Sequence, residues 1–550
     1  MKGIRRGPRG GPLAPGPRQV SCCQQRPGCI LIGADRNNSV VTRHTLRLFL
    51  LACSSVFALS GCGSRRGSAQ PDSTTVTIAV SGPENGMNPV DDRSMKFLVF
   101  LPLVAENERG ELEGRLARSW QHSPDWREWT FHLRTDVRWE DGVAVTARDV
   151  EFTLALLANP DVGEFGPHTI EAVTVPDDST LTVRYGDLDA INNLTWEVYF
   201  PKHLLQGLNP KEIASWKFWL QPVGDGPYRF RRHVSKTLTE FEAKPGYFRG
   251  KPRIERVILR FLDDAGSLAE FLGGGLDVRY GATPTQSRLL VKDPRFRVYQ
   301  AIGSSVTAIV WNNQLPLFGD ANVRRALTHA INRVELRDVL DFPPELPVLD
   351  GPYTLRQLTR GDLPTPLPYD TARSRALLEE AGWFDRNGDG IRERNGKPFH
   401  FTAVAYSSAG PVGYALAVYV QEQLRRVGIW MEIQTVAQGV PSKVQLDAVV
   451  SRVPEAPWSW TKRFGDSSSV GYRNPRVVQL LRQLPLAFNP DEEDRIRREL
   501  ATIFQVDAPA TFFFPEVNSV VVRRRVRGLS SPRRADPLKY MDELWLEDPR

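Results

Sequence analysis

Asp385, Asn387 and Asp389 stand at alternate positions, with Glu393 four residues further on and Gly390 between them. This is the front of a twelve-residue calcium loop, which places oxygen ligands at positions 1, 3, 5 and 9 and a glycine at position 6. Position 12 is Gly396, where such a loop needs a glutamate that grips the ion with both oxygens. The segment is therefore expected to be an Asx and glycine turn between Trp383 and a strand over His400–Val404, with a structural calcium as the alternative. No other metal and no cofactor is indicated. The eight histidines stand at 44, 122, 132, 168, 203, 233, 329 and 400, and none lies four residues from another, so no helical pair of zinc ligands forms. Gly-x-Ser-x-Gly, Walker A and His-Glu-x-x-His motifs are all missing. The chain is expected not to be an enzyme. A hydrolase whose carboxylates come from distant segments leaves no such motif, so an enzyme stays as the alternative class.

Cys62 offers a second chemistry. It follows Leu59-Ser60-Gly61 at the end of an apolar run, Leu48 to Leu59, entered through Arg43, His44 and Arg47. A basic lead, an apolar run of about 7–15 residues and small residues at the cut make a secretory signal. The run is too short for a membrane-spanning helix, which needs ~20 apolar residues. Leu-Ser-Gly-Cys resembles the lipobox of bacterial lipoproteins. That resemblance implies a Cys62 that is acylated, becomes the mature N-terminus and attaches the protein stably to a membrane. A core helix with an ordinary cysteine would not lead into the polar stretch Gly63 to Ser73. The glycosylation-type triplet Asn193-Leu194-Thr195 reads as chance beside such a signal.

Ahead of the signal, Met1–Asn38 is rich in Gly, Pro and Arg without apolar periodicity, and is not expected to pack. A signal normally begins near the start codon, so translation is expected to begin at Val40 or Val41. The expected division is 1–39 a non-native or unstructured leader, 40–61 signal peptide and 62–73 tether. Residues 1–62 hold nine Lys and Arg against one acid, Asp35; taking that excess of eight from the chain's +7 leaves −1 for the remainder. The basic character belongs to the leader and gives no argument for a nucleic-acid partner. The five cysteines stand at 22, 23, 29, 53 and 62, so the exported body has no disulfide and must rest on sizeable cores in two or three domains.

Several elements are legible locally. Thr74–Ser81 alternates apolar and polar residues as a strand does and runs into the turn cluster Gly82 to Pro89. Trp129, Phe131 and Leu133 share one face of a second strand. Thr146 is placed to cap a helix from Ala147 onward. Gly224 and Gly226 flank Asp225 and are expected to supply positive φ at a tight turn. In Val323-Arg324-Arg325-Ala326-Leu327 the apolar residues fall at helical spacing, so the arginines are expected on a solvated or interdomain face.

The order of these blocks resembles a known family. Leu116, Ser119-Trp120, Trp129 to Arg134, Trp139, Asp141-Gly142, Thr146-Ala147, Asp149-Val150 and Phe152 resemble the signature of family 5 extracellular solute-binding proteins, the binding components of ABC importers for peptides, nickel and related solutes. Further blocks follow in that family's order. They are Pro222 to Phe230 (with Asp225 in place of the usual threonine), Pro245 to Phe248, Asp320 to Leu327 with Ala330 to Arg333, and Tyr369-Asp370 through Trp383. Gln421 to Leu424 with Val427 to Ile429, Gly471-Tyr472 with Asn474-Pro475, and Ala508-Pro509 complete them.

This resemblance implies an α/β, two-lobed, periplasmic-binding-protein-like (type II) fold with discontinuous lobes and a smaller inserted domain. Residues 74–108, 216–303 and 510–550 would form lobe I, 109–215 the inserted subdomain and 304–509 lobe II. The implied function is a lipid-anchored, monomeric, extracytoplasmic component of an ABC importer. It would capture a small solute, peptide-like or other, by hinge closure and pass it to permease subunits. The alternative is a secreted enzyme or sensory lipoprotein that reuses the fold without transport. By position in the family, the ligand walls are expected from Met87, Asn88, Trp311, Asn312, Tyr406-Ser407, Arg452, Trp458 and Trp460. Peptide-binding members place an aspartate near the last of these to receive the ligand's ammonium. Here the stretch offers Glu455, with Asp466 beyond it, so a sugar or a metal chelate stands beside a peptide as ligand.

Overall fold

The computed structural model describes residues 74–80, 95–107, 111–165, 170–188, 194–406, 410–436, 446–530 and 536–547. Cys62 with the segments around it, Met87, Asn88 and Ser407 lie outside the described residues. No helix among the described residues is long and apolar enough to cross a membrane.

The locally legible elements form. Strand β1, Thr75–Val80, buries Val76 and Ile78 completely. An inserted four-stranded antiparallel sheet is built from β2 (Ala117–His122), β3 (Glu128–Leu133), β4 (Ile170–Asp177) and β5 (Thr180–Tyr185), in the order β2-β3-β5-β4. Trp129, Phe131 and Leu133 alternate inward along β3. Helix α1, Ala147–Leu157, starts at a capping box in which the Asp149 carboxylate accepts the Thr146 N–H at 2.8 Å.

The main sheet has ten strands. One half contains β1 with β6 (Tyr228–Val234), β7 (Leu238–Ala243), β8 (Arg256–Phe261) and β9 (Val278–Tyr280). The other half contains β11 (His400–Tyr406), β12 (Trp430–Val436) and β13 (Ala448–Pro454). Two long strands, β10 (Phe296–Trp311) and β14 (Ala510–Arg523), join the halves. The order across the sheet is β12-β11-β13-β10-β14-β9-β1-β8-β7-β6.

Each half has its own packing. Val76, Ile78, Phe241 and Leu259 share a core with Trp129, Phe131 and Trp139 of the insertion. In the other half the sheet buries both faces. Trp311, Phe318, Phe401 and Met431 pack on one side, and Val306, Val310, Trp460, Phe504 and Phe512 on the other. Alternation along β10 produces this, since Val306, Ala308 and Val310 face one way and Ile309 and Trp311 the other. The fold is thus two-lobed and α/β, with the two long strands shared.

Two expectations are corrected. Gly224 and Gly226 are absent from the positive-φ residues. They are needed because a Cβ at Gly224 would lie 2.0 Å from the Val99 carbonyl oxygen, and one at Gly226 2.6 Å from the Val99 carbonyl carbon. Arg324, in helix α2 (Ala321–Ala330), is not solvated but 5% exposed. Its guanidinium donates to the carbonyl of Phe318 (2.6 Å) and to those of Asp507 (2.6 Å) and Ala508 (3.2 Å), the last two at the C-terminus of helix α5 (Pro490–Asp507).

Candidate ligand site at the strand crossover

The pairing directions locate a crevice. Strands β11, β12 and β13 are mutually parallel, and β13 runs antiparallel to β10 so that its last residue, Pro454, pairs with Ser305. In the other half β1, β8 and β9 are mutually parallel, and β9 ends at Tyr280 opposite Val520 of β14. The carboxyl ends of both parallel sets therefore point at the same stretch of β10 and β14. There the regular register breaks, between Ile302↔Val517 and Val306↔Pro515. Crevices beyond the carboxyl ends of parallel strands are where α/β folds hold ligands.

At the break the side chains of Asn518 and Glu516 on β14 cover Gly303 of β10. A Cβ on Gly303 would lie 2.8 Å from Asn518 Nδ2 and 3.2 Å from Glu516 Oε2. Tyr353 Oη donates to the carbonyls of Gly303 at 2.8 Å and Ser305 at 3.2 Å, which pins the irregular segment. Ser304 and Asn518 remain exposed beside it.

Glu455 follows β13 directly, and its amide donates to the Ser304 carbonyl at 2.8 Å. Its Oε2 accepts from Arg497 Nη1 at 2.9 Å and from the Tyr353 N–H at 3.1 Å, while Oε1 is buried without a partner. Burial pushes the carboxyl up to about 8 against the opposing pull of Arg497. The carboxylate is thus already engaged by the protein. Asp466 is engaged too, accepting from Arg482 at the surface. A ligand ammonium would find neither free.

Tyr406 ends β11, and Ser451 lies one residue beyond the last registered pair of β11 and β13, Ala405↔Val450. Helix α3, Pro457–Phe464, turns back over this edge, so that Arg463 Nη2 donates to Ser451 Oγ at 3.1 Å. Arg452, on the neighbouring position of β13, pairs with Glu516 of β14.

The expected wall residues divide accordingly. Tyr406 is half-buried at the crevice edge, Arg452 is exposed beside the crossover, and Trp458 is 50% exposed on α3. Trp460, two residues on, is fully buried, with its ring 6.0 Å from Phe504 and 5.7 Å from Phe512. On a helix, residues two apart face different ways, and only one of this pair is left for solvent. Trp311 ends β10 opposite Ala448 and Asn312 follows it, about 25 Å along the strand from Ser304 at ~3.3 Å per residue. Trp311 is fully buried and Asn312 Nδ2 donates to the Leu446 carbonyl at 2.9 Å. These two and Trp460 build the lobe rather than the crevice edge.

The loop from Asp385 closes on itself. Asp385 accepts from the N–H groups of Gly388 (2.8 Å) and Gly390 (3.0 Å), Asn387 from Asp389 (3.0 Å), Asp389 from Ile391 (2.7 Å) and Glu393 from Arg386 (3.1 Å). Among the described residues no group of three or more His, Cys, Asp or Glu is arranged to hold a metal. Residues that sequence reasoning missed are Gly303, Tyr353, Ser451, Arg463, Arg497 and Glu516. Arg463 lies three residues beyond Trp460, the last wall residue expected from the sequence; for Tyr353 and Arg497 no local signal exists, since their partner Glu455 lies 102 and 42 residues away.

Comparison with known proteins agrees with this architecture. The family model described as bacterial extracellular solute-binding proteins, family 5 Middle, matches residues 111–473. The oligopeptide-binding protein AppA of Bacillus subtilis is 27% identical over 538 residues, covering 91% of this chain and 97% of its own. Its solved structure in complex with a nonapeptide aligns with a TM-score of 0.70 over 86% of this chain and 99% of that one, at 24% identity. NikZ from Campylobacter jejuni, solved in complex with Ni(L-His), aligns with a TM-score of 0.72 over 86% of this chain and 100% of its own, at 22% identity. With two-thirds of its length inside that family model and a two-lobed fold joined by two strands, the chain belongs to the bacterial extracellular solute-binding proteins, family 5.

Proposed function

We propose that the protein is the substrate-binding component of an ABC importer, held outside the cytoplasm by a lipid on Cys62. It captures a small solute in the crevice between its lobes. The observation that carries this reading is the convergence of both sets of strand ends on the break in β10 and β14. Two strands are the link between the halves of the sheet, and bending at Gly303 to Ser305 and at Glu516 to Asn518 opens or closes the crevice. A solute that touches both lobes favours the closed form by its difference in affinity for the two states. The permease then recognises that form. The relatives' names, oligopeptide-binding for one and nickel-binding for another, support a transport role.

Cys62 tests the anchoring half of the proposal. Membrane fractions of the producing cell are expected to hold the mature chain with an acylated N-terminal cysteine, detected by mass spectrometry, and Cys62→Ala to release it. Native mass spectrometry after incubation with a small-molecule extract of the growth medium tests the binding half. The expected result is one solute per chain, released unchanged on denaturation. Conversion of that solute would indicate an enzyme instead.

A further inference from the structure

Among the described residues the buried arginines of this protein are spent. Arg333 pairs with Asp350 at 2.5 Å, Arg497 with Glu455 at 2.9 Å and Arg115 with Asp542 at 3.1 Å. Arg324, without an acid, donates to four carbonyls. Arg463 is different. It is half-buried at the crevice edge, and one of its five N–H groups donates to Ser451 Oγ. No carboxylate among the described residues pairs with it. Tyr406, at the end of β11 beside Ser451, carries a phenol that can offer its hydroxyl as a donor. The Ser451 hydroxyl, in turn, donates to the Arg452 carbonyl at 3.1 Å, so its lone pair is directed at Arg463 and holds the guanidinium in place.

The surrounding charges are already balanced: Arg452 with Glu516, and Arg497 with Glu455 and Glu493. That leaves the Arg463 guanidinium, with several unspent N–H donors in a planar fork, beside a phenol at the carboxyl end of β11. We propose that Arg463 binds a carboxylate of the captured solute, with the Tyr406 hydroxyl as second donor and Ser451 as the residue that positions the guanidinium. This deepens, and rests on, the reading of the chain as a solute-binding protein. A guanidinium matches a carboxylate in two parallel hydrogen bonds. A phosphate dianion would leave one negative charge uncompensated here, and an ammonium would meet the guanidinium's like charge with no free acid nearby. The crevice thus selects solutes by an acid group rather than by an amino group.

Matched pairs that differ in one carboxylate test this in the full-length chain in detergent. The pairs are N-acetyl-trialanine and its amide, glutaramate and glutaramide, and N-acetylhistidine and its amide. Calorimetric titration is expected to show saturable binding of at least one acid, weakened about tenfold or more in its amide. Arg463→Gln is expected to abolish the acid's advantage, Arg463→Lys to keep part of it, and Ser451→Ala to reduce it. Thermal melts of each variant verify that the fold is retained, and the Lys variant serves if the Gln variant does not fold. Equal binding of acid and amide, or an acid preference untouched in both Arg463 variants, overturns the carboxylate assignment while leaving solute binding standing. Binding of none of the acids also overturns it. Failure of every solute in the growth-medium extract as well would overturn the solute-binding reading itself.

Discussion

Arg497 Nη1 donates to Glu455 Oε2 at 2.9 Å, and Arg497 Nη2 donates to the carbonyl of the same residue at 2.9 Å. A helix of the second lobe thereby grips the residue that follows β13 at the crossover. Arg497→Met is expected to destabilise the protein by about 3–5 kcal/mol above pH 8, where Glu455 is ionised and the variant strands a buried carboxylate. The loss should grow with pH. Burial holds Glu455 at about 8, above its ordinary value of 4.5. Stability from such a group is complete below the ordinary value and is lost as pH rises through the folded one. Melting curves at pH 5 and pH 9 check this, and a variant equally destabilised at both would contradict it.

Asp225 carries a second pH-dependent term. It is 1% exposed, Oδ1 accepts the Leu101 N–H at 2.9 Å, Oδ2 has no partner, and burial pushes the carboxyl up to about 7. Glu140 nearby is also pushed up to about 7 by burial. The wild type should lose stability between pH 4 and pH 8. Asp225→Asn is expected to flatten that slope, recovering on the order of 2 kcal/mol at pH 8 relative to pH 5. Chemical denaturation across that range measures it. A slope unchanged in the variant would show that Asp225 does not titrate there.

Trp458 and Trp460 should respond oppositely to truncation. Trp460→Ala removes a fully buried ring packed on Phe504 and Phe512 and is expected to cost about 3–5 kcal/mol. Trp458→Ala, at a half-exposed position, is expected to stay within about 0.5 kcal/mol while weakening solute binding. Denaturant titrations separate the two, and equal costs would mean that the faces of α3 are misassigned.

Gly303 limits how closely β10 and β14 approach. Gly303→Val would drive a side chain against Asn518 Nδ2, 2.8 Å from the added Cβ, and is expected to cost about 1–3 kcal/mol. Asn518→Ala should restore part of that loss in the double variant. Additive effects of the two substitutions would place the strain elsewhere.

Helix α1 was legible because its determinants are adjacent: Thr146 and Asp149 cap each other across three residues. Strand β3 was legible because alternation of Trp129, Phe131 and Leu133 needs no partner to be read. Arg324 was not. Helical spacing placed it outside the apolar stripe, and the end of α5, 183 residues away, supplies two of the four carbonyls that receive its guanidinium, the others being those of Phe318 and Gly319. The glycines around Asp225 were recognised as required, but the cause is the Val99 backbone against them, not a left-handed turn. The site divided in the same way. Tyr406 ends a strand at the crossover, Arg452 pairs with Glu516 beside it and Trp458 is half-exposed on α3, whereas Trp311 and Asn312 are displaced by the length of a strand whose direction no local pattern reveals. The Glu455 pairing needed α4 (Pro475–Gln483) and α5 to be folded back over α3, a tertiary event that leaves no trace in nearby sequence.

The most direct test of capture between the lobes is a distance across the crossover. No cysteine follows Cys62, so spin labels at Leu272→Cys in the first lobe and Val506→Cys in the second, both at exposed positions, compete with no native thiol beyond that position. Pulsed electron resonance with and without the solute identified by native mass spectrometry is predicted to show two distance distributions differing by several ångströms, with the Gly303→Val variant shifted less. A single distribution, unmoved at saturating solute, would contradict closure about the two shared strands.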